Sequence, residues 1–205
     1  SKSLPAAKVY RHDESDNRAA KDGLSLVGMA GHSVSYDASR ARVILSLDAD
    51  CFTTDGDTVR LSQGYATGRK IQTSADEMNR LYVVEGRFSN TGANADNRLR
   101  VPSSHVGEFL RTIAGKIAPN APAGLKRELT NRENAEPGSI AHDSRFTAFA
   151  TAVAEDLQAN KGASVILVGE RQPAWVHGLA HFVNDALGNV GNTCLLYTSD
   201  AADEV

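Results

Sequence analysis

Three short segments of the chain hold the side chains that could bind a ligand or a cofactor. Each follows a run of apolar residues, and the three are DADCFTTDGD (48–57), EGRFSNTGANAD (85–96) and GERQP (169–173). The candidate binding residues in them are Asp48, Asp50, Glu85, Arg87, Asp96, Gly169, Glu170 and Arg171. Because open parallel sheets bind ligands beyond the carboxyl ends of their strands, the pattern predicts a nucleotide or cofactor cleft. The alternative, which the residue types alone favour, is that these side chains cap loops and helix entries.

The charge of these segments argues against a simple phosphate site. Neither GxGxxG nor GxxxxGK[ST] occurs, and a lone Gly169 after a strand is weak evidence of a phosphate-binding loop. Carboxylates that converge at the strand ends would repel a pyrophosphate unless arginines offset them. A carboxylate can still hold a ribose or a guanine edge, so a dinucleotide remains an open alternative.

Two histidines have the spacing of metal ligands. His177 and His181 form HGLAH, the i, i+4 pattern that places two imidazoles on one side of a helix. The glutamate base of HExxH is missing, since Gly178 follows His177. Both histidines flank an apolar face, so we expect hydrogen-bonded structural side chains and predict no metal site. No GxSxG nucleophile elbow occurs either, so no catalytic residue is predicted.

Composition excludes several classes of protein. The 205 residues are 41% apolar and 23% charged, which is ordinary for a globular chain with a core. A net charge of −3, without a Lys/Arg block, argues against a nucleic-acid partner. No apolar run approaches the roughly 20 residues of a membrane span. Cys51 and Cys194 are too few for an iron–sulfur cluster or a tetrahedral zinc, and we expect Cys51 to be a small buried residue after a strand.

Strands and helices that alternate along the chain must position the candidate residues. Apolar strands are predicted at 43–47, 80–87 and 163–170, and a short strand at 7–12. Helices are predicted at 13–29, 59–71, 104–118, 146–157 and 173–190. Strands without polar alternation, joined by helices, favour parallel sheets covered on both faces. The predicted fold is α/β with two Rossmann-like units, namely 1–118 and an incomplete 142–193, joined by a linker at 119–141.

Both ends suggest a piece of a longer protein. The start, SKSLPAAKVY, has no initiator methionine and no apolar signal region. Near the other end, CLLYTSDAADE resembles the translation of a transposase adapter used to prepare sequencing libraries. We therefore expect 194–205 to be an adapter-derived, disordered tail outside the fold. A disordered acidic tail of ordinary origin is the alternative.

The middle of the chain resembles the molybdopterin oxidoreductase superfamily. In that pattern a strand ends in an acidic or glycine loop, and a later strand delivers a carboxylate and an arginine before a threonine and an ADxxLxV edge. The matching residues here are Glu85, Arg87, Thr91, Ala95, Asp96, Leu99 and Val101. The long motifs EMNRLYVVEGRFSNTGANADNRLRV and GERQPAWVHGLAHFVNDALGNVGNT are similar to one branch, the B subunit of alternative complex III, also called the variant-Tat-translocated family.

This resemblance, which covers nearly all of 7–193, implies a scaffold in an electron-transfer complex. The B subunit has a molybdopterin-oxidoreductase fold without the molybdenum cofactor. It belongs to a membrane-bound, quinol-oxidising complex at the periplasmic face of the cytoplasmic membrane, where its partners are the other subunits. Its iron–sulfur clusters are expected downstream of this segment, which itself would hold no cofactor. Cys51 stands where the family usually has a bulky apolar residue.

Three hypotheses remain open on the residues. The first is a non-catalytic scaffold portion of the alternative complex III B subunit. The second is a fragment of a genuine bis-molybdopterin-guanine-dinucleotide oxidoreductase, and the third a free-standing nucleotide-binding α/β protein. The first hypothesis predicts a vestigial strand-end cleft that is filled or collapsed and lacks an arginine or lysine clamp.

Overall fold

The structure is a computed structural model that describes residues 18–133, 140 and 143–198. The predicted strand at 7–12 lies outside them. In chain order the described elements are α1 (Arg18–Leu26), β1 (His32–Tyr36), β2 (Val43–Leu47), α2 (Thr58–Thr67), β3 (Arg80–Glu85), α3 (Asn90–Ala93), β4 (Asn97–Arg100), α4 (Val106–Ile117), α5 (Ala123–Glu133), α6 (Ser144–Ala159), β5 (Ser164–Val168), α7 (Ala174–Ala186) and β6 (Cys194–Thr198). No helix among these is long and apolar enough to cross a membrane.

A four-stranded parallel sheet forms the centre of the described chain. Its strand order is β4-β3-β2-β5. Val43 of β2 lies opposite Arg80 of β3 on one side and Ser164 of β5 on the other. Every residue of β2 is buried, because its sequence VILSL has no polar alternation and fits a strand covered on both faces.

Helices cover both faces of this sheet. Successive side chains of a strand point to opposite faces, so β2 sends Leu45 into one apolar cluster and Ile44 into the other. The larger cluster packs the sheet against α4, α6 and α7, and the smaller packs it against α2, for example through Leu61. The predicted α/β fold with a parallel, helix-covered sheet is confirmed.

The division of the chain differs from the predicted pair of units. β5, placed by the sequence analysis in a second unit, pairs in register with β2, so 43–100 and 164–168 share one sheet. The predicted linker also contains α5. Leu125 of α5 is fully buried in the larger core cluster, and burial of such a side chain stabilises a helix that composition alone does not favour.

Side-chain amides close the outer edge of β5. Asn184 of α7 accepts a hydrogen bond from Ile166 N (3.0 Å) and donates one to Ile166 O (3.0 Å), as a neighbouring strand would. Asn189 donates to Asn184 and to Ser164 Oγ, each at 3.0 Å. Thr193 Oγ1 donates to Ser164 O at 2.5 Å. An open edge would leave backbone groups ready to pair with another chain, and this buried network satisfies them instead.

The predicted disordered tail is wrong for its first five residues. Cys194–Thr198 form β6, which pairs antiparallel with β1, with Tyr36 opposite Cys194 and His32 opposite Thr198. Cys194 is fully buried, so the strand is held by packing as well as by its hydrogen bonds. Burial raises the pKa of its thiol to about 12, with Asp185 adding to the effect. The rest of the predicted tail, 199–205, lies outside the described residues.

A close backbone contact joins α1 to α7. A Cβ added at Gly23 would lie 2.6 Å from Ala174 O and 2.8 Å from Gly178 N, distances that real Cβ atoms do not show. A Cβ at Gly178 would lie 2.8 Å from Gly23 O. Backbone atoms cannot swing away as a side chain can, so both positions require glycine.

We expect Gly23→Ala to lower the free energy of unfolding by about 1–3 kcal/mol, the usual cost of overpacking a core. Gly115→Ala is the matched control, because a Cβ there meets nothing within 4 Å. Gly115 lies in α4, so the control should instead gain about 0.5–1 kcal/mol from lower chain entropy. Urea unfolding followed by circular dichroism measures both values. Equal stability of the two variants would disprove the close contact.

Candidate functional site

An open cleft lies where the strands of the parallel sheet end. Its volume is about 630 Å³, within the range of about 300–1,000 Å³ found for small-molecule sites. The predicted candidates that line it are Asp48, Asp50, Glu85, Arg87, Glu170 and Arg171. Asp55, which lies in the first of the three predicted segments, also lines it, as does Ser103, which no sequence pattern indicated.

Two predicted candidates do not line the cleft. Gly169 packs beneath it, where an added Cβ would overlap Asp48 O, so this glycine permits a close approach of two loops. Asp96 lies at the opposite end of the sheet, and its prediction as a cleft residue is wrong. Its carboxylate accepts from Leu81 N (2.8 Å) near the start of β3 and forms an ion pair with Arg69. The residue precedes β4, so it sits at the amino end of its strand.

Asp55 ties together the loops that follow β2 and β5. Its carboxylate accepts from Asp50 N at 2.7 Å and from Glu170 N at 2.9 Å. The side chain of Glu170 in turn contacts the loop after β2, since its Oε1 accepts a hydrogen bond from Gly56 N at 3.3 Å. The two hydrogen bonds of Glu170 join residues 114 and 115 positions apart in the sequence and fix the two loops against each other.

Asp48 and Asp50 connect the β2 loop to further segments. Asp50 Oδ1 accepts from Thr91 N (3.1 Å) and Thr91 Oγ1 (2.9 Å). Asp48 accepts from Gln172 Nε2 at 3.0 Å and from Ser103 Oγ. Asp48 has φ +53°, a left-handed conformation that short polar side chains tolerate better than others. This turn directs the chain across the end of the sheet.

Glu85 is a buried carboxylate that the chain neutralises itself. It is 2% exposed, and its oxygens accept from Arg98 Nε (2.6 Å) and Ser89 Oγ (2.6 Å). A buried charge is tolerated when it is paired and hydrogen-bonded, and both conditions hold here. Arg98 itself is stacked over the Phe88 ring, with its guanidinium carbon 4.8 Å from the ring centre.

The remaining polar groups of the cleft are two arginines. Arg87 and Arg171 are exposed, and within the described part of the chain their side chains form no hydrogen bond or ion pair. They stand beside five carboxylates in the lining, those of Asp48, Asp50, Asp55, Glu85 and Glu170. The cleft is therefore acidic, with its cationic groups free at the surface and its carboxylates engaged in hydrogen bonds.

Three loop N–H groups at the cleft are not available to hold a phosphate. Phosphates are held by backbone N–H groups of a loop or a helix N-terminus. Here the loop N–H groups of Asp50, Gly56 and Glu170 already donate to the chain's own carboxylates. A phosphate would have to displace these carboxylates and face their charge.

Cys51 is a buried residue after a strand, as the sequence predicted. It is 2% exposed, and its Sγ lies 3.5 Å from Thr91 Oγ1. Burial raises the pKa of the thiol to about 11, only partly opposed by the contact with Thr91. The protonated thiol that results is neither a nucleophile nor a metal ligand near neutral pH.

A second, smaller cavity lies between α1, β1 and α7 and is lined by both histidines of HGLAH. Each ring has one contact, His177 with the backbone of Gln172 and His181 Nε2 with Met29 Sδ, whereas Nε2 of His177 and Nδ1 of His181 are buried without a hydrogen-bond partner among the described residues. Burial lowers the pKa of His177 to about 4 and also lowers that of His181, against the nearby charge of Asp185. In the described chain no group of three or more His, Cys, Asp or Glu side chains could hold a metal ion.

No protein-family model matches the chain, and no curated protein matches it. The functional argument therefore depends on the geometry of the two cavities and on the sequence motifs.

We expect Asp55→Ala to lower the free energy of unfolding by about 1–3 kcal/mol, because it leaves two loop N–H groups without an acceptor. The amides of Asp50 and Glu170 should then exchange with solvent faster, as measured by hydrogen exchange. Asp22→Ala is the control, since Asp22 is exposed and surface changes usually stay within about 0.5 kcal/mol. Unchanged hydrogen exchange at both amides would contradict the role of Asp55 in holding the two loops together.

The pH dependence of stability should report the burial of His177. Its pKa is about 4 in the folded chain and about 6.5 when unfolded, so between these values the unfolded chain binds the proton more tightly. Stability should thus fall as the pH drops from 6.5 to 4, by at most about 3 kcal/mol from this group. Urea unfolding in a chelating buffer should show a smaller loss for His177→Gln than for the wild type. Identical pH profiles for the two proteins would refute the assignment.

Proposed function

We propose that the chain is a non-catalytic scaffold portion of the molybdopterin-oxidoreductase-like subunit of a membrane-bound, quinol-oxidising electron-transfer complex. One observation carries the proposal. At the strand ends, where this class of fold would hold its cofactor, the loop N–H groups donate to the chain's own carboxylates. The carboxylates at these positions stabilise the loops and occupy the donors that a bound ligand would use.

Electrostatics supports the same conclusion. Five carboxylates and two guanidinium groups line the cleft, and Glu85 is additionally paired with Arg98. A pyrophosphate carries negative charge, so its binding is disfavoured where the surrounding charge is net negative. Both serines of the lining donate their hydroxyls to carboxylates that stabilise the loops, Ser103 to Asp48 and Ser89 to Glu85, and no cysteine or histidine is among the lining residues.

A second candidate function, a genuine cofactor-binding oxidoreductase, is favoured by one specific observation. The cleft is open at about 630 Å³, whereas the scaffold hypothesis predicted that it would be filled or collapsed. Arg87 and Arg171 are exposed at this cleft and could contact an anion. The difference between the two functions is therefore one of charge and donor availability, not of space.

The scaffold proposal includes partners and location. The other subunits of the complex would contact this portion, and iron–sulfur clusters would be bound by a downstream region of the same subunit. The complex would stand at the periplasmic face of the cytoplasmic membrane. Support for these points comes from the long motifs around 77–101 and 169–193.

The nucleotide test uses the chain itself, titrated with guanosine diphosphate and with inorganic pyrophosphate in a calorimeter. We expect no binding tighter than about 1 mM, because the backbone N–H groups of Asp50, Gly56 and Glu170 already donate to carboxylates and the lining is net negative. Binding tighter than about 10 μM that is lost in both Arg87→Ala and Arg171→Ala would establish the second function. Arg145→Ala is the matched control, since Arg145 is exposed at the start of α6.

The scaffold assignment is tested on the product of the complete gene. Metal analysis of the purified protein should find iron with acid-labile sulfide and no molybdenum. Co-purification with membrane subunits that oxidise a quinol should follow. Stoichiometric molybdenum would overturn the scaffold proposal, and a product without iron or partners would favour a free-standing nucleotide-binding protein.

A further inference from the structure

The two outer edges of the parallel sheet differ in how their backbone groups are satisfied. The edge of β5 is closed by Asn184, whose side-chain amide bonds to both backbone groups of Ile166. The opposite edge is β4, and β3 is the one described strand that pairs with it. Asn97 and Arg100, the first and last residues of β4, are exposed. A free strand edge presents unpaired N–H and C=O groups, to which another extended chain can add.

The hydrogen bonds to β3 show which backbone groups of β4 point outward. Just after β4, Val101 N donates to Glu85 O of β3 at 3.2 Å. Alternate residues of a strand bond to the same neighbour, so Leu99 also directs its backbone groups to β3, and those of Arg98 and Arg100 point away. Among the described residues these two arginines form no backbone hydrogen bond beyond the sheet. Their N–H and C=O groups are therefore available to an added strand.

The side chains of β4 give this edge one charged face and one apolar face. Arg98 and Arg100 lie on the same face because side chains alternate along a strand, and Leu99 lies on the other, packed against the larger core cluster. Arg98 is paired with Glu85 at 2.6 Å and stacked over the ring of Phe88. In the described chain Arg100 has no ion pair. The charged face therefore keeps an unbalanced positive charge.

This charge decides what kind of strand can pair with the edge. Antiparallel pairing of two copies about a twofold axis at Leu99 would place Arg98 of each copy opposite Arg100 of the other. Like charges directly opposite each other destabilise a pair of strands, so a second copy is disfavoured. A strand with carboxylates at the same positions would be attracted instead. Charge complementarity thus favours an acidic partner over self-association.

We propose that the outer edge of β4 binds an extended, acidic segment of another protein, with carboxylates at alternate positions and apolar residues between them. The carboxylates lie beside Arg98 and Arg100, since opposed residues of neighbouring strands have Cβ atoms about 4.5–5.5 Å apart. The apolar residues extend the surface that Leu99 begins. Phe88, which is 67% exposed, adds apolar area beside Arg98. The proposal does not rest on the scaffold function, because no residue of β4 lines the strand-end cleft.

The test titrates the chain into a fluorescently labelled octapeptide of alternating glutamate and valine and follows the anisotropy. We expect saturable binding of one peptide per chain, with a dissociation constant of about 100 μM or tighter. One control peptide alternates lysine and valine. A second keeps the glutamates but is methylated on the nitrogens of its two central residues, one of which must face β4 in either strand direction. Both control peptides should bind at least about 10-fold more weakly.

A charge reversal tests the arginine that has no ion pair. Arg100→Glu should weaken binding of the glutamate peptide by about 10-fold and strengthen binding of the lysine peptide. The variant should fold, because Arg100 is exposed. Arg127→Glu is the matched control, since it makes the same change of charge at an exposed position of α5 and should alter neither affinity.

Hydrogen exchange locates the bound peptide. The glutamate peptide should slow exchange of the Arg98 and Arg100 amides, whereas the amide of Leu99, already bonded to β3, should change little. Three outcomes would overturn the proposal. One is no saturable binding, and another is equal binding of the methylated peptide, which would show charge attraction without an added strand. The third is a dimer of the free chain in analytical ultracentrifugation with both arginine amides already protected, since a second copy would then occupy the edge.

Discussion

At the carboxyl end of a parallel sheet the backbone N–H groups lose the strand partners that they had within the sheet. In this chain aspartate side chains accept hydrogen bonds from these N–H groups, and the rest of the fold depends on this replacement of one acceptor by another. Asp55 accepts hydrogen bonds from an N–H group of its own loop and from one of the loop after β5, while Asp50 accepts one from Thr91 N of α3. The strands can pair in register because these carboxylates hold the loops close. The same contacts use up the donors that a phosphate would need.

Close packing of the loops makes these hydrogen bonds possible. Gly169 lets the β5 loop lie directly against Asp48 O, and Asp48 itself adopts a left-handed turn at φ +53°. On the far side of β5, Asn184 replaces the missing strand with a bidentate amide contact to Ile166. The chain therefore satisfies both the ends and one edge of its sheet with side chains of its own.

Local patterns predicted the central strands because an apolar run fixes a strand without reference to the rest of the chain. β2, β3 and β5 follow such runs, and the ends of these strands correctly located most cleft residues. Contacts distant in sequence could not be predicted in this way. β5 joins β2 across more than 100 residues, and β6 is a strand only because β1 pairs with it. Asp96 was misplaced for a related reason: its position at the start of β4 depends on where that strand begins.

The surroundings of His177 and His181 likewise could not be predicted from local sequence patterns. The i, i+4 spacing is readable in HGLAH, but Met29 is 152 residues from His181 and no motif links them. Burial lowers the pKa of His177 and of His181, so both imidazoles stay uncharged to a lower pH than a free histidine would. His177 also lies near Asp55 and the loop carbonyls of Gly169 and Gln172. The loop after β5, which Asp55 contacts through Glu170 N, thus also supplies the backbone groups that contact the His177 ring.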